Sequence, residues 1–461
     1  MKGRDLMQKS NQSMLQGPLF KSIVLYTIPI ILTSFLQLLF HAADLVVVGR
    51  FCGSISVAAV GATGAITNLI VNLFIGLSVG AGVTVAQYLG AREEDAVHRT
   101  VHTAIPAALT SGAFVTVLGI CFSEKFLQMM STPADVLPLS SLYMKIYFSG
   151  IVFTMVYNFA ASILRAAGDT KSPLVFLTVA GVVNVLLNLL FVTVLHMNVA
   201  GVALATTISQ AISAALVVIA LMKRTDACHL NLRKLRFYGL ELKKIIRIGL
   251  PAGIQSSLFS ISNVMIQSSI NSFGGVLMSG NAAAGNIEGF VYVSMNAFHQ
   301  TAVNFIGQNV GAGQYDRVKK IVWTCLGCVT VVGLAVSLSA YAFDEALLSI
   351  YITDSQEAIS YGLLRLSYVC IPYFICGLMD VSTGALRGMG ASFAPMVISV
   401  LGVCGIRIGW IMTVFQIPQF HTPASLYLSY LFSWALTFVI QMFVFVKIYR
   451  KHTAQLSNQG K

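Results

Sequence analysis

The sequence predicts an all-α polytopic membrane protein, with twelve transmembrane helices in two six-helix lobes. Three observations carry that expectation: a shortage of charge, a recurrence of long apolar runs, and an internal repeat. Of 461 residues, 56% are hydrophobic and only 10% are charged, with a mean hydropathy of +0.79. An average soluble domain carries about 25% charged residues. Too few charges remain here to solvate a globule of this length.

Apolar runs of spanning length fall at 20–46, 55–82, 100–122, 139–163, 174–195, 200–222, 247–272, 281–306, 320–343, 358–384, 395–415 and 424–447. About 20 apolar residues cross a bilayer as helix. Several runs exceed that minimum, which predicts tilt or extension beyond the lipid. Residues 1–18 are polar and basic (Lys2, Arg4, Lys9) and lack the apolar core of a secretory leader. The first run is therefore expected to stay in the mature chain.

Charge orients the runs. With a cytoplasmic N-terminus, the inner segments hold nearly all lysines and arginines, and the outer loops hold only Arg50 and Lys125. That asymmetry predicts both termini inside, in the plasma (inner) membrane. It also accounts for the net charge of +12 without nucleic acid as a partner. Eight cysteines are scattered through the chain. Cys325-x-x-Cys328 has no second pair to complete a zinc site, so packing cysteines are expected and no disulfide.

The halves repeat. The segment 163-ILRAAGDTKSP-173 matches 385-ALRGMGASFAP-395, and their prolines stand 222 residues apart. Pro29 and Pro251 share that offset, and Gly90 and Gly311 stand 221 apart. A shared offset in separate segments marks an internal repeat. The expected organisation is an N-lobe (1–222), a basic cytoplasmic linker (223–246) and a C-lobe with its tail (247–461). Six spans per half make both halves enter in one direction, so the pseudo-two-fold axis lies along the membrane normal.

An ionised group at the bilayer centre costs at least about 2.5–3.5 kcal/mol. Asp44, Glu288 and Asp380 fall inside apolar runs and are the default functional candidates. Desolvation disfavours a bare carboxylate, so such a group can exchange a proton, a metal ion or an organic cation. Gln37, His41 and Asp44 step by four and three, hence share a helix face. His41 could then hydrogen-bond the carboxylate; alternatively Asp44 lies near the outer boundary and snorkels. Ser256, Ser260, Asn263 and Gln267 form a polar stripe in the seventh run, which either lines a cavity or bonds neighbouring helices. Lys145, Arg365 and Arg407 lie at depths similar to the acids, and either pair with them or hold an anionic group. Tyr157, Tyr292 and Tyr373 are candidate aromatic faces for a flat cation. Pro29 and Pro251 are candidate hinges. Gly76-x-x-x-Gly80, Gly249-x-x-x-Gly253 and Gly405-x-x-x-Gly409 would allow close backbone approach. No Walker motif occurs, which argues against ATP-driven transport by this chain alone.

The proline-bearing first run ending in 44-DLVVVG-49 carries a family resemblance. So do the turns 87-QYLGAREEDA-96 and 308-QNVGAGQYDR-317 and the paired LR-x-x-G segments. Together they resemble the multidrug and toxic compound extrusion (MATE) family over nearly the whole chain. The resemblance implies two lobes around a cavity that opens alternately to either side. It also implies export of amphiphilic compounds, often cations, against H⁺ or Na⁺. It places Asp44 at the family's ion- or substrate-binding acid and Asn184 at its partner in the fifth run. Asn188 stands where relatives carry a further acid, which weakens a shared proton site and leaves room for Na⁺. The seventh run lacks the acid of some relatives, and Asp380 lies in the helix where others place one. The expectations are thus a monomeric antiporter, not an enzyme. It needs no cofactor beyond its coupling ion, and no metal apart from Na⁺ near Asp44. Its partners are membrane lipid and a small amphiphile. The rival reading is a flippase for a lipid-linked or anionic amphiphile held by Arg365 and Arg407.

Overall fold

A computed structural model describes residues 14–130, 132–352 and 355–459. Its long elements are all helices: α1 Leu19–Phe51, α2 Ser54–Ala91, α3 Glu94–Met129, α4 Leu137–Ser149, α5 Ile151–Ala166, α6 Lys171–Leu189 and α7 Asn198–Met222. The second half follows with α8 Gly239–Asn271, α9 Gly275–Gly311, α10 Tyr315–Ala342, α11 Asp344–Tyr351, α12 Gln356–Arg365, α13 Tyr373–Gly388, α14 Phe393–Ser399, α15 Ile406–Met412 and α16 Pro423–Gln459. Among the described residues, eight helical segments are long and apolar enough to cross a membrane, or ten with each bent pair counted as one span. α8 and α9 cover the seventh and eighth apolar runs but are more polar. α8 opens on Glu241, Lys243, Lys244 and Arg247 and then carries the Ser/Asn/Gln stripe. Large apolar side chains such as Leu186, Val331 and Phe443 lie exposed, as a lipid-facing surface requires.

The repeat is visible in the irregularities. α4 and α5 meet at Gly150 with a 45° bend, and α12 with its π-turn meets α13 at Pro372 with a 42° bend. These positions are 222 residues apart. Not every irregularity follows it: α6 ends in a π-turn at Leu190–Val194, while the π-segment Val400–Gly405 that joins α14 to α15 lies off the 222-residue register. The α2–α3 turn uses a left-handed residue, Arg92 (φ 58°), and the α9–α10 turn uses Gly313 (φ 70°) at the matching place. Glycine adopts that conformation without the steric cost an arginine bears.

Contacts divide the chain into two units: unit 1 holds 32–257, and unit 2 holds 17–31 with 258–461. Two features lie beside the expected boundaries at 222/223 and 246/247. α1 and α8 each change unit within two turns after their proline, Pro29 or Pro251. The basic segment 223–238 is folded onto unit 1 instead of hanging free. The His102 ring accepts a bond from the Asn231 amide (3.0 Å), Thr103 Oγ1 accepts from the Tyr238 amide (3.2 Å), and Cys228 and Leu230 are buried in the unit 1 core. Arg99 pairs with the buried Glu241 at 2.6 Å.

Two of the glycine motifs meet each other. A Cβ at Gly76 would collide with the Gly253 backbone, and one at Gly253 with the Leu73 carbonyl. α2 and the first half of α8 therefore touch backbone to backbone. Gly405 and Gly409 are not at such an approach; one lies in the π-segment and the other faces open space.

Candidate functional site

Unit 1 buries one carboxylate among neutral groups. Asp44, on the second half of α1, is 8% exposed. Asn184 and Asn188 stand one turn apart on α6, so both amides point the same way. Asn188 Nδ2 donates to Asp44 Oδ1 and also, at 3.2 Å, to Asn184 Oδ1. Asn184 Nδ2 donates to Thr206 Oγ1 of α7 at 3.4 Å, and Thr206 also lies within hydrogen-bond reach of Asp44. Asn188 Oδ1 is enclosed and has no partner among the described residues. The cluster thus presents carboxylate, amide and hydroxyl oxygens, with no basic side chain among the described residues in an ion pair with it.

Gln37 and His41 do not join it. Both are exposed, and His41 makes no bond to Asp44 among the described residues. At about 100° per residue, positions 41 and 44 lie about 60° apart around the axis. α6 packs on Asp44's side of that wedge. Tyr157 is buried and its hydroxyl donates to the Pro173 carbonyl at 3.3 Å, a packing role. Beside the cluster, Phe35, Leu36, Leu39, Val175 and Thr178 line an open apolar groove of about 500 Å³ between α1 and α6.

Unit 2 arranges its acids differently. Glu288 of α9 is clamped by Arg365 of α12 through two bonds, at 2.8 and 2.7 Å. Arg365 also donates to Asn281 Oδ1, which accepts from the Tyr427 hydroxyl at 3.2 Å. Asn281 Nδ2 in turn donates to Gln267 Oε1 at 3.2 Å. Gln267 therefore belongs to this network at its exposed edge, while Asn263 is exposed. Asp380 of α13 is buried, and its Oδ2 has no partner among the described residues. Its main-chain carbonyl accepts from His299 Nδ1 (2.7 Å), and Arg387 lies 3.3 Å from His299 Nε2. Tyr292 is exposed on the same helix as Glu288, and Tyr373 is half-buried with its ring 5.0 Å from that of Trp434.

Of the three basic residues expected at the acids' depth, only Arg365 pairs with one. Lys145 is exposed. Arg407 lies over the Tyr430 ring at 4.0 Å and donates from Nε to Ser433 at 3.1 Å. Thr206, Asn281, Tyr427, Tyr430, Ser433 and Trp434 escaped the sequence reading. The last run does signal itself: Tyr427, Tyr430 and Trp434 step by three and four along one helix face.

The MatE family model matches the chain twice, over residues 29–190 and 251–412. The chain belongs to the MatE family. Both ends of the two matches are 222 residues apart, the offset of the repeat. A MatE protein is a multi-pass membrane transporter, not an enzyme, and multidrug efflux is the activity its relatives' names carry. "Probable multidrug resistance protein YoeA" of Bacillus subtilis (strain 168) is 26% identical over 398 residues, 84% of this chain and 85% of the relative. "Multidrug export protein MepA" of Staphylococcus aureus (strain bovine RF122 / ET3-1) is 20% identical over 86% of this chain and 88% of that one. Among solved structures, a MATE crystallised with MaL6 superposes with a TM-score of 0.89 at 19% identity. It covers 97% of this chain and 99% of that chain, a likeness of fold.

Proposed function

We propose that this MatE protein is a secondary antiporter. It exports amphiphilic, mainly cationic drugs or metabolites in exchange for H⁺ or Na⁺, with twelve spans in two six-helix lobes that alternate access. It acts as a monomer in the plasma membrane with both termini cytoplasmic. Its only partners are lipid and a small amphiphile.

One observation carries this reading: Asp44 is buried in a spanning helix and bonded only to neutral groups. A bare carboxylate at that depth is costly unless a cation accompanies it. No basic side chain among the described residues pairs with it, so H⁺, Na⁺ or the substrate is the cation that does. Asn188 Oδ1, enclosed and unpartnered, is a ready oxygen ligand for Na⁺. Asp380, with its own enclosed orphan oxygen, is the matching point in unit 2. Antiport follows if ion and drug favour opposite conformations. Pro29 and Pro251, just before α1 and α8 change unit, are where those helices would bend.

The flippase alternative loses one of its two arginines, since Glu288 already neutralises Arg365. Purified protein in liposomes, loaded with ethidium and driven first by an H⁺ and then by a Na⁺ gradient, tests the proposal. Gradient-driven efflux is expected from the native chain and not from Asp44→Asn. Undiminished efflux by that variant would remove Asp44 from the mechanism.

A further inference from the structure

The interior of unit 2 holds two carboxylates, Glu288 and Asp380, against three guanidiniums, Arg365, Arg387 and Arg407. Arg365 takes both oxygens of Glu288. Arg387 shares α13 with Asp380 and meets His299. Arg407 is left over. It is 4% exposed, yet no carboxylate among the described residues lies within ion-pair distance of it. Its Nε bonds Ser433, its plane rests on Tyr430, and Trp434 lies 5.6 Å away. Neither Nη nitrogen makes a hydrogen bond among the described residues, and neither is fully enclosed.

Aromatic faces attract a guanidinium but do not neutralise it, and a buried charge without a counter-charge is strongly unfavourable. No carboxylate among the described residues supplies the counter-charge, which points to an anion from outside the chain. With Nε occupied, the two Nη groups offer the parallel donors that a carboxylate or sulfonate accepts. Tyr373, half-buried with its ring 5.0 Å from that of the buried Trp434, supplies an apolar face nearby. We propose that Arg407 is the binding point for the acidic group of a transported aromatic amphiphile. Zwitterionic and anionic compounds then fall within the substrate range. This rests on the exporter reading and extends it beyond cations.

A matched dye pair tests it: rhodamine B, which carries a free carboxylate, and its ethyl ester, which does not. Binding is measured by fluorescence anisotropy on the full chain in phosphatidylcholine nanodiscs. Arg407→Gln is expected to weaken rhodamine B about tenfold or more and the ester less than about twofold, with Arg407→Lys recovering only part of the loss because an ammonium cannot offer two parallel donors. Equal weakening of both dyes, or of neither, overturns the proposal. If Arg407→Gln does not fold, the native chain decides. There 1-naphthoate should displace rhodamine B and 1-naphthalenemethanol should not, and equal displacement refutes the site. In phosphatidylglycerol nanodiscs the Arg407-dependent difference should persist. Its loss only there would assign the guanidinium to lipid phosphate and also overturn the proposal. Gradient-driven efflux of the ester by the same preparation tests the exporter reading separately.

Discussion

The two halves share a backbone plan and differ in chemistry. In unit 1 the acid site is built from Asp44, Asn184 and Asn188. The residues 222 positions further on are Ile266, Ile406 and Trp410, all without charge. Unit 2 instead carries its acids on α9 and α13, and clamps one of them with Arg365. The repeat has kept what packing needs, such as the breaks at Gly150 and Pro372, while the polar groups have moved to other helices. A carboxylate held by amides can change its cationic partner. One held by a bidentate arginine is fixed. On the proposed mechanism, exchange chemistry falls to the unclamped acids, Asp44 of unit 1 and Asp380 of unit 2, and Glu288 serves the fold.

The largest effect should come from breaking the clamp. Glu288→Gln leaves the largely enclosed Arg365 without its counter-charge, a loss of about 3–5 kcal/mol. Asp44→Asn strands no cation and should move stability by less than about 1 kcal/mol. Thermal unfolding of both variants in detergent sets the ratio directly. Glu288→Leu combined with Arg365→Met should recover most of the loss, because an apolar pair replaces a buried ion pair at little cost. Equal destabilisation by Glu288→Gln and Asp44→Asn would erase the distinction between the halves.

A smaller effect sharpens the unit 1 side. Asn188→Leu removes the donor to Asp44 and leaves a buried carboxylate less satisfied, at about 1–3 kcal/mol. Thr206→Val should cost about 0.5–1.5 kcal/mol, since its bonds are peripheral. The same melts measure both. If Thr206→Val proves the more damaging, α7 and not α6 holds the site.

Much of this was readable beforehand, for reasons that are local. Hydropathy located the helices, because lipid admits only long apolar segments. The family resemblance singled out Asn184 and Asn188, which the fold sets one turn apart on α6. The pairing of Glu288 with Arg365 was not readable, since 77 residues separate them and no periodicity encodes which helices touch. His41 failed for a subtler reason. Helical spacing says which residues share a face but not where along that face the next helix packs. Gly76 and Gly253 announced close approach singly, and only the fold named each as the other's partner.

The least effect concerns the segment 223–238, and it tests whether that segment belongs to unit 1 as firmly as the helices do. Cys228 is fully buried there, and burial pushes its thiol up to about 12 from an ordinary value near 9.0. Below about pH 9.0 the thiol is neutral in both the folded and unfolded chain and costs nothing. Above it the unfolded chain gains by ionising while the folded one does not, so stability falls as pH rises towards 12. Unfolding temperature followed from pH 8 to 11 (roughly the span of that shift) should drop further for the native chain than for Cys228→Ala. Maleimide at neutral pH should label the exposed Cys121 and spare Cys228. Prompt labelling of Cys228, or identical alkaline melts for the two proteins, would mean that the segment opens readily. It would then be a tether between the units, not part of the wall of the first.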